Sequence, residues 1–186
     1  MLKLDKKRIE KIFNKKIPPN KKVIGIDTAS RTGWCFIKSN TNWIYLDYGF
    51  LDIKSKNYLF KYNELIKFFD NILTGEEDYI LIEDTFCGFN KKTFKLLSRI
   101  GGIVYTVGRL KKAEKLEFLL ATQARKYLGL NGSAKKVKVQ AEFKRKTKIK
   151  IEDDDVIDAI VLALVALFKC QIQKKSMLEL QNEINK

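Results

Sequence analysis

Three short runs of β-forming residues follow one another near the start of the chain, and they restrict the fold more than any other feature. Val23–Asp27, Gly33–Ile37 and Trp43–Phe50 are rich in apolar, β-branched and aromatic residues, and short polar turns separate them. Strands joined by such short turns pair antiparallel, because a parallel pair needs a long crossover. The sequence therefore predicts an antiparallel meander of three strands.

Helical and extended segments alternate in the remainder of the chain. Apolar residues at helical spacing predict helices, and short apolar runs predict two further strands at 79–83 and 116–120. The predicted helices cover residues 57–73, 92–108, 122–128, 134–146 and a last one from 152 onward. A meander followed by βα units predicts an α/β fold of ribonuclease H-like architecture, with a mixed five-stranded sheet and helices on both faces.

The two ends of the chain differ from this central part. Residues 1–20 are basic and include a short predicted helix at 5–13, which the Pro18–Pro19 pair is expected to stop. We therefore expect an N-terminal arm at 1–20, one domain at 21–170 and a polar helical tail at 171–186.

Positive charge is concentrated in one part of the chain. The 186 residues carry a formal net charge of +15, and residues 91–150 alone hold 18 basic and 3 acidic side chains. A local field of this sign attracts polyanions, of which nucleic acid is the usual one. A solvated basic surface without a partner and an anionic membrane surface are the alternatives on charge alone, and no lipidation motif supports the second.

Missing residue types exclude several kinds of chemistry. The chain has no histidine, which removes imidazole acid–base catalysis, Ser-His-Asp triads and histidine-ligated metals. Cys35, Cys87 and Cys170 show no CxxC pairing and are predicted to be free thiols in a reducing environment. The N-terminus lacks a signal-peptide core, and the longest apolar run, Ala159–Phe168, is shorter than the roughly 20 residues of a membrane span. We therefore expect an intracellular, soluble protein.

Four carboxylates occupy positions that a sheet of this kind would bring together. Asp27 ends the first predicted strand, Glu83 ends the fourth, and Asp155 and Asp158 stand three residues apart near the start of the last helix. Each has an ordinary explanation taken singly, as a turn residue or as an acid at a helix N-terminus. Together they would repel one another unless a cation compensated them, and Mg²⁺ or Mn²⁺ accepts oxygen ligands. Two such ions roughly 4 Å apart can promote hydrolysis of a phosphodiester.

The same residues lie in segments that resemble the RuvC family of Holliday junction resolvases. Val23–Asp27 with Thr32–Trp34 is similar to the first motif of the family, and Ile82–Phe86 with the stretch to Gly102 is similar to the second. The basic stretch Arg125–Lys136 and the closing Asp155–Ala159 segment, which reads DxxDA, are similar to the third and fourth. The resemblance covers about residues 22–168.

The resemblance implies an activity and the residues that perform it. Asp27, Glu83, Asp155 and Asp158 would be catalytic and would ligate two Mg²⁺ ions, for which Mn²⁺ substitutes. The enzyme would nick branched DNA, chiefly four-way junctions, and leave 5′-phosphate and 3′-hydroxyl ends. It would act as a homodimer in the cytoplasm, or in the host cytoplasm if a phage encodes it.

The basic segments, taken with the resemblance, indicate which residues contact DNA. Phe86 would stack on bases at the junction, which is worth roughly 1–3 kcal/mol for an aromatic ring. The other expected contacts are Asn90, Lys91, Lys92, Arg99, Arg125, Lys135, Lys136 and Lys138. The helix after Glu83, with its Gly101–Gly102 pair, is the expected dimer interface.

Two other functions are compatible with these residues. A ribonuclease of the same fold could act on RNA–DNA hybrids or on structured RNA. A non-catalytic protein that binds junction DNA would keep the fold and the basic surface, although the presence of all four carboxylates argues against it. An actin-like ATPase is disfavoured because glycine-rich phosphate loops do not accompany the first strand.

Overall fold

A mixed six-stranded sheet forms the centre of the fold in the computed structural model, which describes residues 1–29, 31–85, 90–132 and 134–184, with side chains to Cys170. The spatial strand order is β1-β4-β3-β2-β5-β6. The first four of these strands pair antiparallel, whereas β2, β5 and β6 run parallel. The strands are β1 (Leu2–Asp5), β2 (Lys22–Asp27), β3 (Thr32–Ser39), β4 (Trp43–Leu51), β5 (Tyr79–Asp84) and β6 (Leu116–Leu120).

Helices cover both faces of this sheet. Alternate residues of β2 and β5 point to opposite sides, so that Val23 and Leu81 enter one core and Ile24 and Ile80 enter the other. The first core lies under α1, α4, α5 and α6, and the second lies under α2 and α3. The helices are α1 (Lys6–Phe13), α2 (Tyr58–Ile72), α3 (Lys91–Leu110), α4 (Ala121–Tyr127), α5 (Lys136–Thr147) and α6 (Asp154–Ile184).

The strand count differs from the prediction at the N-terminus. The five predicted strands are present, but Leu2–Asp5 adds a sixth by pairing antiparallel with β4. The segment expected to be an arm is instead packed on the sheet, because Ile9, Phe13 and Ile17 are buried in the core. Helix α1 ends at Phe13, before the Pro18–Pro19 pair, because the next residue, Asn14, adopts the left-handed conformation.

Two glycines bring α6 against the sheet. A Cβ atom at Gly25 would lie 2.2 Å from the backbone nitrogen of Ala163, and one at Gly33 would lie 2.3 Å from the carbonyl oxygen of Asp155. Only glycine allows the helix backbone to approach β2 and β3 this closely. As a result, the first turns of α6 lie directly beside the end of β2.

The apolar sequence of α6 reflects its burial in the core. Its residues from Val156 to Phe168 are all buried among the strands and the neighbouring helices. Among the described residues, no helix is both long and apolar enough to cross a membrane. Cys35 and Cys170 are buried free thiols, as predicted, and Cys87 lies outside the described residues.

Candidate active site

Asp27 and Glu83 lie side by side at the carboxyl ends of two neighbouring parallel strands. The register pairs Ile26 with Ile82, so the next residue of each strand is one of these acids, about 4.8 Å from strand to strand. Both side chains face α6, because Asp27 shares the side of Gly25, where α6 packs. Asp27 is only 4% exposed, and its side chain lies within hydrogen-bond reach of Glu83. The predicted meeting of these two acids is present in the structure.

Burial makes this pair of acids hard to ionise. It raises the pKa of Asp27 far above that of an ordinary aspartate, and the charge and hydrogen bond of Glu83 raise it further. Burial also raises the pKa of Glu83, although the hydrogen bond from Asp27 partly offsets the increase. Burial and the neighbouring charge thus favour the protonated form of both acids, whereas a bound cation would favour the ionised form.

Asp155 and Asp158 reach the same place from the first turns of α6. The carboxylate of Asp158 is buried and raises the pKa of both Asp27 and Glu83 through its charge. Asp155 is partly exposed at the edge of the cluster. We call Asp27, Glu83, Asp155 and Asp158 the acidic centre.

Two basic residues from neighbouring helices compensate the acidic centre. The ammonium group of Lys136, at the start of α5, lies 2.9 Å from Asp158 Oδ2 and 3.3 Å from Asp155 Oδ1. Arg125, on α4, lies 3.4 Å from both carboxylate oxygens of Asp158 and is itself buried. Burial alone would lower the pKa of Lys136, but its hydrogen bond to Asp158 and the charges of Asp27 and Asp155 outweigh burial and raise it.

A third basic residue, Arg31, was not among the predicted site residues. Its guanidinium group pairs with Asp153, and its Nε lies 3.4 Å from Asp155 Oδ2. The same group stacks on the Phe50 ring at 3.9 Å from the centroid. The carboxylate of Asp153 also accepts the backbone N–H groups at positions 155 and 156, so it caps α6. The sequence signal for Arg31 was its place in the turn directly after Asp27.

The donors of the acidic centre fit a hard divalent cation. All four predicted ligands are carboxylates, which is the donor type that Mg²⁺ and Mn²⁺ prefer. Within the described part of the chain, no three acidic or thiol groups already converge on one point as a metal cage. Lys136 and Arg125 contact Asp158 directly, and their positive charges also act on Glu83. The placement of Asp27 beside Glu83, with the charge of Asp158 close to both, is the observation that calls for a cation here.

The predicted DNA contacts fall into two groups. Arg125 and Lys136 lie within the acidic centre, as described above. Asn90 caps α3, since its side-chain oxygen accepts the backbone N–H groups of Lys92 and Thr93. The remaining lysines and arginine are exposed at the starts of α3 and α5 or on the outer side of these helices: Lys91, Lys92, Arg99, Lys135 and Lys138. Phe86 lies outside the described residues.

Helix α3, the expected dimer interface, packs against the rest of the chain on one face and is exposed on the other. A Cβ atom at Gly101 would meet the Phe118 ring at 3.2 Å, so this glycine serves packing within the chain. At Gly102, in contrast, a Cβ would have no described atom within 4 Å. Tyr105 and Phe118 stack at 5.5 Å between centroids and are each 37% exposed, and Leu110 is 76% exposed.

Comparison with known proteins places this arrangement in a family. The family model described as crossover junction endodeoxyribonuclease RuvC matches residues 23–166. RuvC of Sulfurovum sp. is 29% identical over 161 residues, which cover 82% of this chain and 99% of that relative. RuvC of Campylobacter jejuni strain RM1221 is 30% identical over 153 residues, which cover 78% of this chain and 93% of that relative.

Solved structures confirm the predicted fold class. The structure of Thermus thermophilus RuvC gives a TM-score of 0.67 at 14% identity and covers 82% of this chain and 96% of its own. T. thermophilus RuvC in complex with a Holliday junction substrate gives a TM-score of 0.63 at 12% identity. It covers 81% of this chain and 96% of its own. The family model matches the chain from the start of β2 to the first half of α6, and the chain therefore belongs to the RuvC family.

Proposed function

We propose that this chain is a divalent-metal-dependent endonuclease that resolves four-way DNA junctions by paired nicks. The single observation that carries the proposal is the acidic centre, in which two strands and one helix bring carboxylates together in a chain of the RuvC family. The relatives named above are crossover junction endodeoxyribonucleases, and one of the similar structures holds a Holliday junction substrate. The expected products carry 5′-phosphate and 3′-hydroxyl ends.

The cofactor of this proposal is a pair of Mg²⁺ ions, with Mn²⁺ as a substitute. Asp27 and Glu83 would hold them from the sheet, and Asp155 and Asp158 from α6. Bound in this way, such ions promote attack of water on a phosphodiester and stabilise the leaving oxygen. The raised pKa of Asp27 and Glu83 supports the assignment. Burial and the charges of neighbouring acids disfavour the ionised form of both side chains, and a bound cation would favour it.

The basic residues of the site receive a second role in the proposal. Lys136 and Arg125 neutralise Asp158 in the structure. Their positive groups lie directly at the carboxylates that a scissile phosphate would approach, and we assign them to its non-bridging oxygens. The chain has no imidazole, so a carboxylate or solvent must accept the proton that the attacking water releases.

DNA binding and dimerisation complete the proposal. Lys91, Lys92, Arg99, Lys135 and Lys138 are exposed and would contact phosphates, while Asn90 would act mainly by fixing the start of α3. The open face of α3 around Gly102 and Leu110 is the proposed contact between two copies, which would direct two active sites to symmetric strands. The proposed location is the cytoplasm.

One comparison of substrates tests the proposal. The purified chain is incubated with a four-way junction, a flap, a linear duplex and an RNA–DNA hybrid, each with and without Mg²⁺, and the product ends are mapped. We expect symmetric nicks in the junction only when Mg²⁺ is present. Preferred cleavage of the hybrid would favour the ribonuclease alternative. Junction binding without nicking in either Mg²⁺ or Mn²⁺ would favour the non-catalytic one.

A further inference from the structure

The N-terminal unit formed by β1 and α1 lies outside the part of the chain that the family model matches. That match begins at residue 23, whereas β1 and α1 occupy residues 2–13. The unit is basic, since residues 2–13 contain five lysines and arginines and two acids. Its charge therefore needs an explanation separate from that of residues 91–150.

Both acids of this segment are used within it. Asp5 caps α1 by accepting the backbone N–H of Arg8 at 2.7 Å. Glu10 accepts the backbone N–H of Ile17 at 2.8 Å and lies 3.9 Å from the ammonium group of Lys16. Lys7 and Lys11, by contrast, stand one turn apart on the exposed side of α1. Like charges at this spacing destabilise a helix, so the pair is not explained by the stability of α1.

The N-terminal unit is firmly attached to the elements that carry the basic residues of the active site. Phe13 stacks on Phe143 of α5, with 6.2 Å between centroids. The guanidinium group of Arg8 donates to the carbonyl oxygen of Thr147 at 2.9 Å. Just beyond α1, the ammonium group of Lys15 lies 4.1 Å from the centroid of the Tyr127 ring, on α4. These contacts hold the lysines of α1 in a fixed position relative to the active site.

Helix α5 connects the two regions. It begins at Lys136, in the acidic centre, and ends at Thr147, which Arg8 contacts. Twelve helical residues span about 18 Å, which corresponds to about five base pairs of duplex DNA. Lys138 and Arg145 are exposed along this helix. Exposed basic residues thus occur along the helix that runs from the active site to α1, over a length that suits one arm of a junction.

We infer that the exposed face of α1, defined by Lys7 and Lys11, is an additional surface that binds the phosphates of a junction's duplex arm. The inference rests on the proposed function, because it takes the same DNA as the active site. The occupant is duplex DNA because the surface offers exposed cations on a helix that α5 connects to the active site.

The test uses the full chain with two exposed lysines neutralised, Lys7→Gln together with Lys11→Gln. The matched control is Lys38→Gln with Lys67→Gln, which removes the same charge from the opposite face of the sheet. Junction affinity is measured in Ca²⁺ over a range of salt concentrations. We expect the double α1 variant to bind about tenfold more weakly at low salt, and its plot of log affinity against log salt to flatten by about 1.8. The control stays within twofold of wild type.

Two further readouts separate binding from structure and from catalysis. The conservative variant Lys7→Arg with Lys11→Arg should bind like wild type, and the rate of nicking at saturating junction should be unchanged in the glutamine variant. If the wild-type chain binds and cuts junctions but the α1 variant and its control show equal affinities and salt slopes, this inference alone is overturned. A wild-type chain that neither binds nor cuts them would overturn the proposed function as well.

Discussion

The acidic centre and the exposed face of α1 use charge in opposite ways. In the acidic centre the charged groups are buried or partly buried, and Lys136 and Arg125 pair with the acids that α6 contributes. On α1, Lys7 and Lys11 project into solvent, and the acids nearest in sequence are engaged in a helix cap and a turn. Buried charges interact strongly and depend on geometry, whereas exposed charges act weakly, additively and in a salt-dependent way.

This contrast predicts how each region responds to change. One substitution in the acidic centre should abolish catalysis, because each carboxylate has a fixed place between two strands and a helix. One substitution on α1 should be hardly detectable, and two should produce the modest, salt-dependent loss described above.

Replacing Glu83 by glutamine should have the largest effect. The change keeps the size of the side chain but removes a negative charge that a metal ion needs, so junction cleavage in Mg²⁺ should fall by at least about a hundredfold. Binding of the junction in Ca²⁺ should be preserved. The control is Glu64→Gln on the exposed side of α2, which should cleave normally. An active Glu83→Gln enzyme would show that the acidic centre is not the catalytic site.

Replacing Gly25 by alanine should disturb the acidic centre through the backbone. The added Cβ would lie 2.2 Å from a backbone atom of α6, so the helix must move away from β2. Overpacking of this kind costs roughly 1–3 kcal/mol or more of unfolding free energy, measured by urea denaturation. Gly102→Ala is the control, because its Cβ meets no described atom and alanine favours a helix by about 1 kcal/mol. Equal free energies of unfolding for Gly25→Ala and Gly102→Ala would contradict the close approach of α6 to β2.

Replacing Arg31 by lysine should have an intermediate effect. Arginine pairs with Asp153 and Asp155 while it stacks on Phe50, and lysine cannot reproduce this planar geometry. Loss of such a supporting contact typically lowers activity about 10- to 100-fold, and the Mg²⁺ concentration needed for half-maximal cleavage should rise. Cleavage with an unchanged Mg²⁺ dependence would mean that Arg31 serves only to hold the start of α6.

Replacing Asp27 by asparagine should produce a small change in stability that depends on pH. The pKa of Asp27 is raised in the folded protein, so the group favours folding below its unfolded pKa of about 3.9 and loses this contribution as the pH rises. Without metal, the variant should therefore gain stability over wild type between pH 5 and pH 8. A gain of about 1 kcal/mol corresponds to a rise in Tm of about 2–4 °C. If the difference in stability between the variant and wild type did not change with pH, ionisation of Asp27 would be excluded as its cause.

The sequence predicted the regular parts of the fold well, for a physical reason. The strands β2 and β5 are apolar runs that end in a carboxylate, and the spacing of apolar residues in α6 follows the helical period. Strand β1 escaped prediction because four residues carry too little pattern, and it forms only through pairing with β4. The burial of Ile9 and Phe13 could not be predicted for the same reason, because it depends on contacts with residues that are distant in the sequence.

The sequence predicted where the acidic residues of the site lie, but not that basic residues pair with them. Strand ends and the helix period indicate where Asp27, Glu83 and Asp158 must lie. The positions of Lys136 and Arg125 between these acids depend on how α4 and α5 dock, which no local pattern encodes. They were accordingly predicted as DNA contacts in general and not as partners of the acidic centre.

The most direct test of the account is a crystal structure of the chain grown with Mn²⁺ and recorded at the manganese absorption edge. We expect two anomalous peaks about 4 Å apart among Asp27, Glu83, Asp155 and Asp158. We also expect that Lys136 no longer contacts Asp158. Absence of peaks at this position, with Lys136 still bound to Asp158 at saturating Mn²⁺, would contradict a metal-dependent active site in the acidic centre.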